Sequence, residues 1–554
     1  MQKLIKEKTD IVIYIALGWH ALVVVAGLGT ALFFLQMPAA DYDLSLRWVA
    51  IVLSAIMGLL SIPTIYLLYH RRPLGRIFSL AINYIGFILT LLVSFQLLGV
   101  FLGIDFIAGT FGRGVIFLVG VFCGYLIHTL GDRYPHDYQK EMRFRRIGKG
   151  VMLAFGLIFL IRVDFFPWLL SILAQLGEPL KLGLVVAAAI FGLFSWVMAQ
   201  EEMGVICDST NAQTEAISGY LFLSPNLLGF LLFFAAPLLL SFYTSFTDWD
   251  AFGTRNWIGL DNYRTIFTLD IQPLAYRTQP VTEVLDVANY DELTRLTIFG
   301  NHYIIGASDK LFWIALRNTI VFCLAAVPLS VIPALFLANV LNSKIPGIKF
   351  FRALYFLPSI AAVVGVALIW QWLYNAAIGY INYFITLGIN VLNLLPGLAL
   401  VDPQIRWLSD SNTALLAIII MSAWQTMGFN SVLFLAGLQN IPGELYEAAT
   451  VDGAGVWARF FKITLPMLAP TTFFVVSTTT IQALQVFEQV FIATNPPGGP
   501  NNATLTVVLY LYQNGFQRFK QGYASATAWV LFGVIFLVTL MQFQRQRASE
   551  AAYE

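Results

Sequence analysis

Thr478, Gln482, Gln485 and Gln489 recur at i, i+4, i+7 and i+11 within the apolar run 469–493, with Glu488 beside them. On a helix these intervals fall on one face. In the apolar run 411–436, Ser422, Gln425 and Phe429 share a face, flanked by Trp424, Thr426 and Asn430. Polar side chains inside apolar helices are costly unless they face a cavity or a partner. Amides and hydroxyls offer hydrogen bonds to the rim of a polyol such as a sugar, and aromatic rings offer a flat surface to its C–H face. The same groups also serve to tie one helix to another. The sequence holds no nucleophile–base or metal-ligand constellation, so the chemistry to expect is recognition, and the chain does not read as an enzyme.

The elements that must position these residues are membrane helices. Apolar residues make up 58% of the 554 residues and charged residues 11%, against about 45–50% and 25% in soluble domains. Apolar runs of about 20 residues are long enough to cross a bilayer. They fall near 11–35, 47–69, 77–101, 114–131, 151–174, 182–200, 221–244, 312–341, 351–375, 411–436, 469–493 and 522–543. The fold class is therefore an all-α polytopic membrane protein with about twelve spans. Arg162, Asp164 and Pro167 interrupt the run 151–174. The first run is too long for the core of a secretion signal, so it is expected to be an uncleaved span. A net charge of +1 argues against nucleic acid, and Cys123, Cys207 and Cys323 are too scattered for a disulfide or metal framework. His20 and His128 read as packed or interfacial residues.

Lys and Arg are enriched in cytoplasmic loops. With both termini inside, the inner connections hold Lys3, Lys6 and Lys8, then Arg71, Arg72 and Arg76, then Arg133, Lys140, Arg143, Arg145, Arg146 and Lys149. Lys344, Lys349, Arg352, Arg459, Lys462, Arg545 and Arg547 complete them, and the short outer loops carry only Arg113, Lys181 and Arg406. Three regions follow: a membrane region 1–200 of about six spans, a polar linker 201–220, and a C-terminal region 221–545 of six spans with longer loops. The outer loop 245–311 is either a contact for an extracytoplasmic protein or a solvated cap.

The inner loop 441–466 contains EAATVDGAGVWARFFKITLP, a polar, helix-prone stretch between two spans. Pro442-Gly443 makes a turn, and 444–451 reads as two turns of helix with Glu444 and Glu447 near its positive end. Asp452-Gly453 breaks it, because glycine tolerates the left-handed backbone that ends helices. A second short helix over 456–463 presents Trp457, Phe460 and Phe461, expected to root the loop in its own spans, and Pro466 suits the first turn of the next span. Ala448, Ala449 and Gly453 leave room for another protein to approach closely, as in helix-in-groove docking; the alternative is an interfacial amphipathic helix lying on the inner membrane face.

Glu447, Ala448, Ala449, Gly453, Ile463, Leu465 and Pro466 together resemble the coupling loop of bacterial ABC importer permeases. LFLSPNLLGFLLFFAAPLLLSFYTSFTDWD, NWIGLDNY, RALYFLPSIAAVVGVALIWQWLYN and TNPPGGPNNAT narrow the resemblance to the carbohydrate-uptake permeases, similar to the maltose-transporter membrane subunit, over roughly 215–545. The N-terminal region has no counterpart in that resemblance.

The resemblance implies a permease subunit of an importer for a sugar or oligosaccharide, working by alternating access in a bacterial or archaeal plasma membrane. Two ATP-binding cassette subunits would dock at Glu447, Ala448, Ala449, Asp452, Gly453, Ile463, Leu465 and Pro466. ATP and Mg would be bound by those partners; this chain lacks a phosphate-binding loop of its own and needs no cofactor. It also implies a second permease subunit, a different chain, and an extracytoplasmic sugar-binding protein. The implied substrate neighbourhood is Trp424, Gln425, Thr426, Phe429, Asn430, Thr479, Gln482, Gln485 and Glu488. The alternative is a secondary transporter, against which stands an expected absence of paired broken helices. A membrane-bound regulatory protein built on the first six spans would leave the loop unexplained.

Overall fold

Backbone polar groups in a bilayer must be satisfied within the segment, and the long apolar runs do so as helices. The computed structural model describes residues 2–36, 44–250, 253, 255–343, 346–395 and 398–551. Lys344 lies outside them, and the side chains of Lys3, Lys6 and Lys8 are likewise not described. The chain divides into two units, Met1–Gly229 and Phe230–Glu554.

The first unit contains α1 (Gln2–Gln36), α2 (Leu44–Tyr69), α3 (Pro73–Leu97), α4 (Val100–Leu130), α5 (Tyr138–Arg162), α6 (Phe165–Gln175), α7 (Pro179–Ala199), α8 (Glu201–Ile206) and α9 (Asn211–Phe230). α1 packs on α2, α3 on α7, and α4 on α5. His20 is buried, with Nε2 2.8 Å from Ser79 Oγ and Nδ1 3.3 Å from Ser61 Oγ, which is the packed role expected of it. The buried Arg76 donates to the carbonyls of Met198 (2.9 Å) and Gln200 (3.1 Å), closing the C-terminal end of α7.

One expectation needs correction here, and the interruption expected at Arg162 and Asp164 shows as a bend. Residues 201–220 are not a polar linker: they form α8 and much of α9, and Met203, Cys207 and Ile217 are buried with Ile13, Leu68 and Met198. Their apolar residues recur at helical spacing among the polar ones, so a core could absorb one face. The segment 151–174 is also not one straight helix. α5 ends at Arg162, Asp164 takes a left-handed backbone (φ 57°), and α6 leaves at 63°.

The second unit opens with a π-helical turn, Leu231–Ala235, and α10 (Ala236–Thr244), followed by α11 (Asp261–Phe267). The strands β1 (Leu269–Leu274), β2 (Asp291–Ile298) and β3 (Asn301–Ala307) form an antiparallel sheet in the order β1-β3-β2. The loop 245–311 is thus a built element, and the helical fold carries one small sheet. In β1 Leu269 and Ile271 fall on an exposed face, and Leu274, on the other face, is buried. Beyond it come α12 (Lys310–Leu341), α13 (Ile348–Ile360), α14 (Val363–Leu373), α15 (Tyr380–Leu392) and α16 (Ala414–Gln439). α15 is a short apolar helix inside the expected loop 376–410.

The remaining elements are α17 (Gly443–Val451), α18 (Val456–Arg459), a π-helical turn Phe460–Thr464, α19 (Leu465–Met467), α20 (Ala469–Leu484), α21 (Glu488–Ala493), α22 (Val507–Tyr512) and α23 (Gln521–Ala551). α12 packs against both α16 and α20. Phe312, Phe322, Ile418, Met421, Val490 and Leu509 fill one core, and Val331, Phe434, Leu438, Leu468 and Val475 a second.

Among the described residues, nine helices are long and apolar enough to span a membrane, or up to twelve if each of three bent pairs is one span. Broken helices do occur in the second unit. α13 and α14 meet at 98°, and the helical stretch Val456–Met467 meets α20 at 68°. That second break lies at Leu468, so Pro470, not Pro466, occupies the first turn of the next span.

Candidate functional site

The stretch 441–466 forms a compact two-armed turn. α17 is the first arm, and the second runs from Val456 to Met467. Asp452 and Gly453 stop α17 through hydrogen bonds from their amides to the carbonyls of Ala448 (3.0 Å) and Thr450 (3.1 Å). Gly453 has φ +76°, and the space where a Cβ would stand is open. Two side-chain bonds brace the arms: Tyr446 Oη to Thr464 Oγ1 at 2.8 Å, and Arg459 Nη1 donating to Thr450 Oγ1 at 2.9 Å.

The turn presents its outer face freely. Glu447, Ala448, Asp452, Gly453 and Pro466 are exposed, and Ala449, Ile463 and Leu465 are half-buried. Only one of the three aromatics roots it. Phe460 is buried and stacks on Phe336 of α12 with ring centroids 5.9 Å apart. Trp457 and Phe461 stack on each other at 6.0 Å and remain exposed, which corrects the expectation that all three anchor the loop. The second arm is short, so its helical faces turn two of the three rings outward.

Ten to fourteen residues before Phe336 on the same helix α12, and so about 15–21 Å along its axis, lie the walls of a small polar cavity. Phe322 and Ala326 from α12, Ser422 and Thr426 from α16, and Thr479, Gln482 and Gln489 from α20 and α21 line about 80 Å³. Small-molecule pockets occupy roughly 300–1,000 Å³. The cavity is well below that size. Asn430 crosses from α16 to α20, donating to Thr479 Oγ1 at 3.1 Å, and lies 3.5 Å from Ser330 of α12. Ser422 Oγ and Gln425 Oε1 are buried without a hydrogen-bond partner among the described residues.

The expected stripe on α20 is only partly assembled. α20 ends at Leu484 and restarts as α21, so Gln482 and Gln489 reach the cavity while exposed Gln485 and Glu488 do not line it. Thr478 bonds back to the Phe474 carbonyl at 2.8 Å, and Thr479 takes the lining place. Trp424 packs edge-on against Trp370 at 5.6 Å, and half-exposed Phe429 stands outside the lining. Ser330 was missed by the sequence reading, although a buried hydroxyl in an apolar run is a signal of this kind.

At the opposite end of α12, Asp309 caps the helix by accepting from the Phe312 amide at 3.1 Å. Its other oxygen accepts from the hydroxyls of Tyr510 (2.7 Å) and Tyr523. This cluster borders a larger polar cavity of about 710 Å³. The helix α12 thus connects the exposed turn, the small polar cavity and the Asp309 cluster in line.

A family model described as the inner membrane component of binding-protein-dependent transport systems matches residues 318–549, covering α16, the two-armed turn and α20. A probable ABC transporter permease, YesP of Bacillus subtilis (strain 168), is 36% identical over 337 residues, 61% of this chain and 92% of the relative. The chain belongs to the binding-protein-dependent transport permeases. Two further relatives are the lactose transport system permease protein LacF of Rhizobium radiobacter and the arabinooligosaccharides transport system permease protein AraP of Halalkalibacterium halodurans. LacF is 35% identical over 43% of this chain and 78% of its own length, and AraP 36% over 42% and 71%. The family match falls inside the second unit of this permease, and the first unit lies wholly outside it.

Proposed function

We propose that this permease imports a sugar or oligosaccharide as one of two membrane subunits, with the polar cavity at Ser422, Thr426, Thr479, Gln482 and Gln489 as its share of the pathway. The single observation that carries this reading is the seating of the exposed turn on α12, the helix that also walls the cavity. Phe460 against Phe336 and Tyr446 against Thr464 make that turn a rigid body, so a push on Glu447–Gly453 moves the cavity wall. Shifting a two-state gate from 1:99 to 99:1 takes roughly 5.5 kcal/mol of differential binding, which a slack loop would dissipate.

The carbohydrate cargo rests on relatives described as lactose and arabinooligosaccharide permeases and on the amide and hydroxyl character of the lining. The turn would face the cytoplasm, where two cassette subunits bind ATP and Mg and dock around Glu447, Ala448, Ala449, Asp452 and Gly453. A second permease completes the 80 Å³ half-site, and a sugar-binding protein delivers cargo to the outer face. The chain itself performs no catalysis. Both termini would then be cytoplasmic in a plasma membrane.

The test is ATPase activity copurifying with the tagged chain from native membranes, beside Glu447→Arg and Gly453→Trp. The wild type is expected to bring ATPase with it and both variants to lose it. A folded wild-type chain that brings none in mild detergent overturns the proposal.

A further inference from the structure

The first unit, outside the family match, carries a continuous stripe along one face of α5. Arg143, Arg146 and Lys149 lie within about 60° of one another's mean direction on that helix, together with Leu153, Leu157 and Ile161. All six are exposed: the three cations outright, and the apolar residues at 75%, 51% and 55%. The opposite face is pressed onto α4. A Cβ on Gly148 would stand 2.5 Å from the His128 amide nitrogen, and Phe159 meets Phe111 edge-on at 5.6 Å. The orientation of α5 about its own axis is therefore fixed by close packing.

Charge pairing sharpens the stripe. Residues 131–150 contain three carboxylates, Asp132, Asp137 and Glu141. Arg145 occupies two of them, at 3.0 Å and 2.9 Å, and Lys140 the third at 3.0 Å. Among the described residues, no carboxylate lies within ion-pair distance of Arg143, Arg146 or Lys149.

We propose that Arg143, Arg146 and Lys149 bind the phosphate headgroups of anionic phospholipids, making α5 a lipid-recognition element of the first unit. The apolar part of the stripe faces acyl chains, so headgroups must lie where it turns cationic. Lys149 stands about 6 Å beyond Leu153 along the axis and Arg146 about 10 Å. Arg143 is about 15 Å away, and its long side chain reaches back toward the interface. A soluble acidic partner would have to dock on a surface whose lower half is buried in lipid. Exposed Tyr134 and Tyr138 add the aromatic character of a membrane interface.

The experiment places the full chain in nanodiscs of equal parts phosphatidylglycerol and phosphatidylcholine, then reads retained lipid by native mass spectrometry. Each basic residue near the surface favours anionic lipid by roughly fivefold. Wild type is expected to retain phosphatidylglycerol preferentially, and the R143Q/R146Q/K149Q variant to lose on the order of a hundredfold of that preference. The variant's unfolding temperature in pure phosphatidylcholine should match wild type, and an R143K/R146K variant should keep the preference. An unchanged preference in the triple variant overturns the proposal, as does loss in R143K/R146K. An equal loss on replacing Arg545 and Arg547 shows charge without location and also overturns it. Competition by inorganic phosphate at matched ionic strength assigns the stripe to a soluble anion instead.

Discussion

The Tyr446 and Thr464 hydroxyls meet at 2.8 Å and join the two arms of the exposed turn. One arm continues from α16 and the other leads into α20, so this bond clamps the two helices that carry the Asn430–Thr479 pair. The exposed turn and the Asn430–Thr479 pair are linked through it.

Tyr446→Phe removes that bond while keeping the ring. A hydrogen bond of this type contributes about 1 kcal/mol, so the fold should survive. ATPase bound to the complex is expected to persist, while its stimulation by substrate falls severalfold. Stimulated and basal ATPase, measured side by side in proteoliposomes, check this; equal stimulation in variant and wild type removes the clamp role.

Gln482 is exposed at the cavity, with no side-chain hydrogen bond to another described residue. Gln482→Leu should therefore leave unfolding temperature unchanged and weaken sugar transport through KM by roughly tenfold, the worth of one good hydrogen bond. A fall in unfolding temperature with unaltered KM would make Gln482 a packing residue.

Asp309 receives the Phe312 amide and the Tyr510 and Tyr523 hydroxyls. Asp309→Ala leaves the buried Tyr510 and half-buried Tyr523 hydroxyls without their acceptor and uncaps α12. The expected loss is on the order of 2–4 kcal/mol, seen as a lower unfolding temperature, with Asp309→Asn between the two.

Glu292 and Arg295 form a two-pronged pair at 2.8 Å and 3.1 Å on β2. The hydrogen bonds from Arg295 hold the Glu292 carboxyl below its ordinary value. A depressed carboxyl stabilises the fold above its unfolded pKa, about 4.3, and that contribution disappears as pH falls through the lower folded value. Amide exchange in β2 and β3 should accelerate below about pH 4 beyond its intrinsic pH dependence, and Glu292→Gln should abolish the extra acceleration.

Much of this protein was legible in its sequence. Spans are set by local composition, because a bilayer demands about 20 apolar residues wherever the chain crosses. The turn at Asp452-Gly453 was equally local, since a left-handed backbone at φ +76° selects glycine. The exposed turn from Glu447 to Gly453 lies between two such runs, 411–436 and 469–493.

Other features depended on neighbours distant in the chain. Residues 201–220 look polar in isolation, yet Met203, Cys207 and Ile217 find Ile13, Leu68 and Met198 to bury against. Periodicity placed Thr478, Gln485 and Gln489 with Gln482, but the break after Leu484 leaves Gln485 outside the cavity that Gln482 and Gln489 line, and Thr479 rather than Thr478 stands there beside them. Ser330 meets Asn430, a hundred residues later in the chain, only because α12 packs beside α16. Local sequence decides whether a segment can be a helix, whereas which face it shows and where it bends are decided by what packs against it.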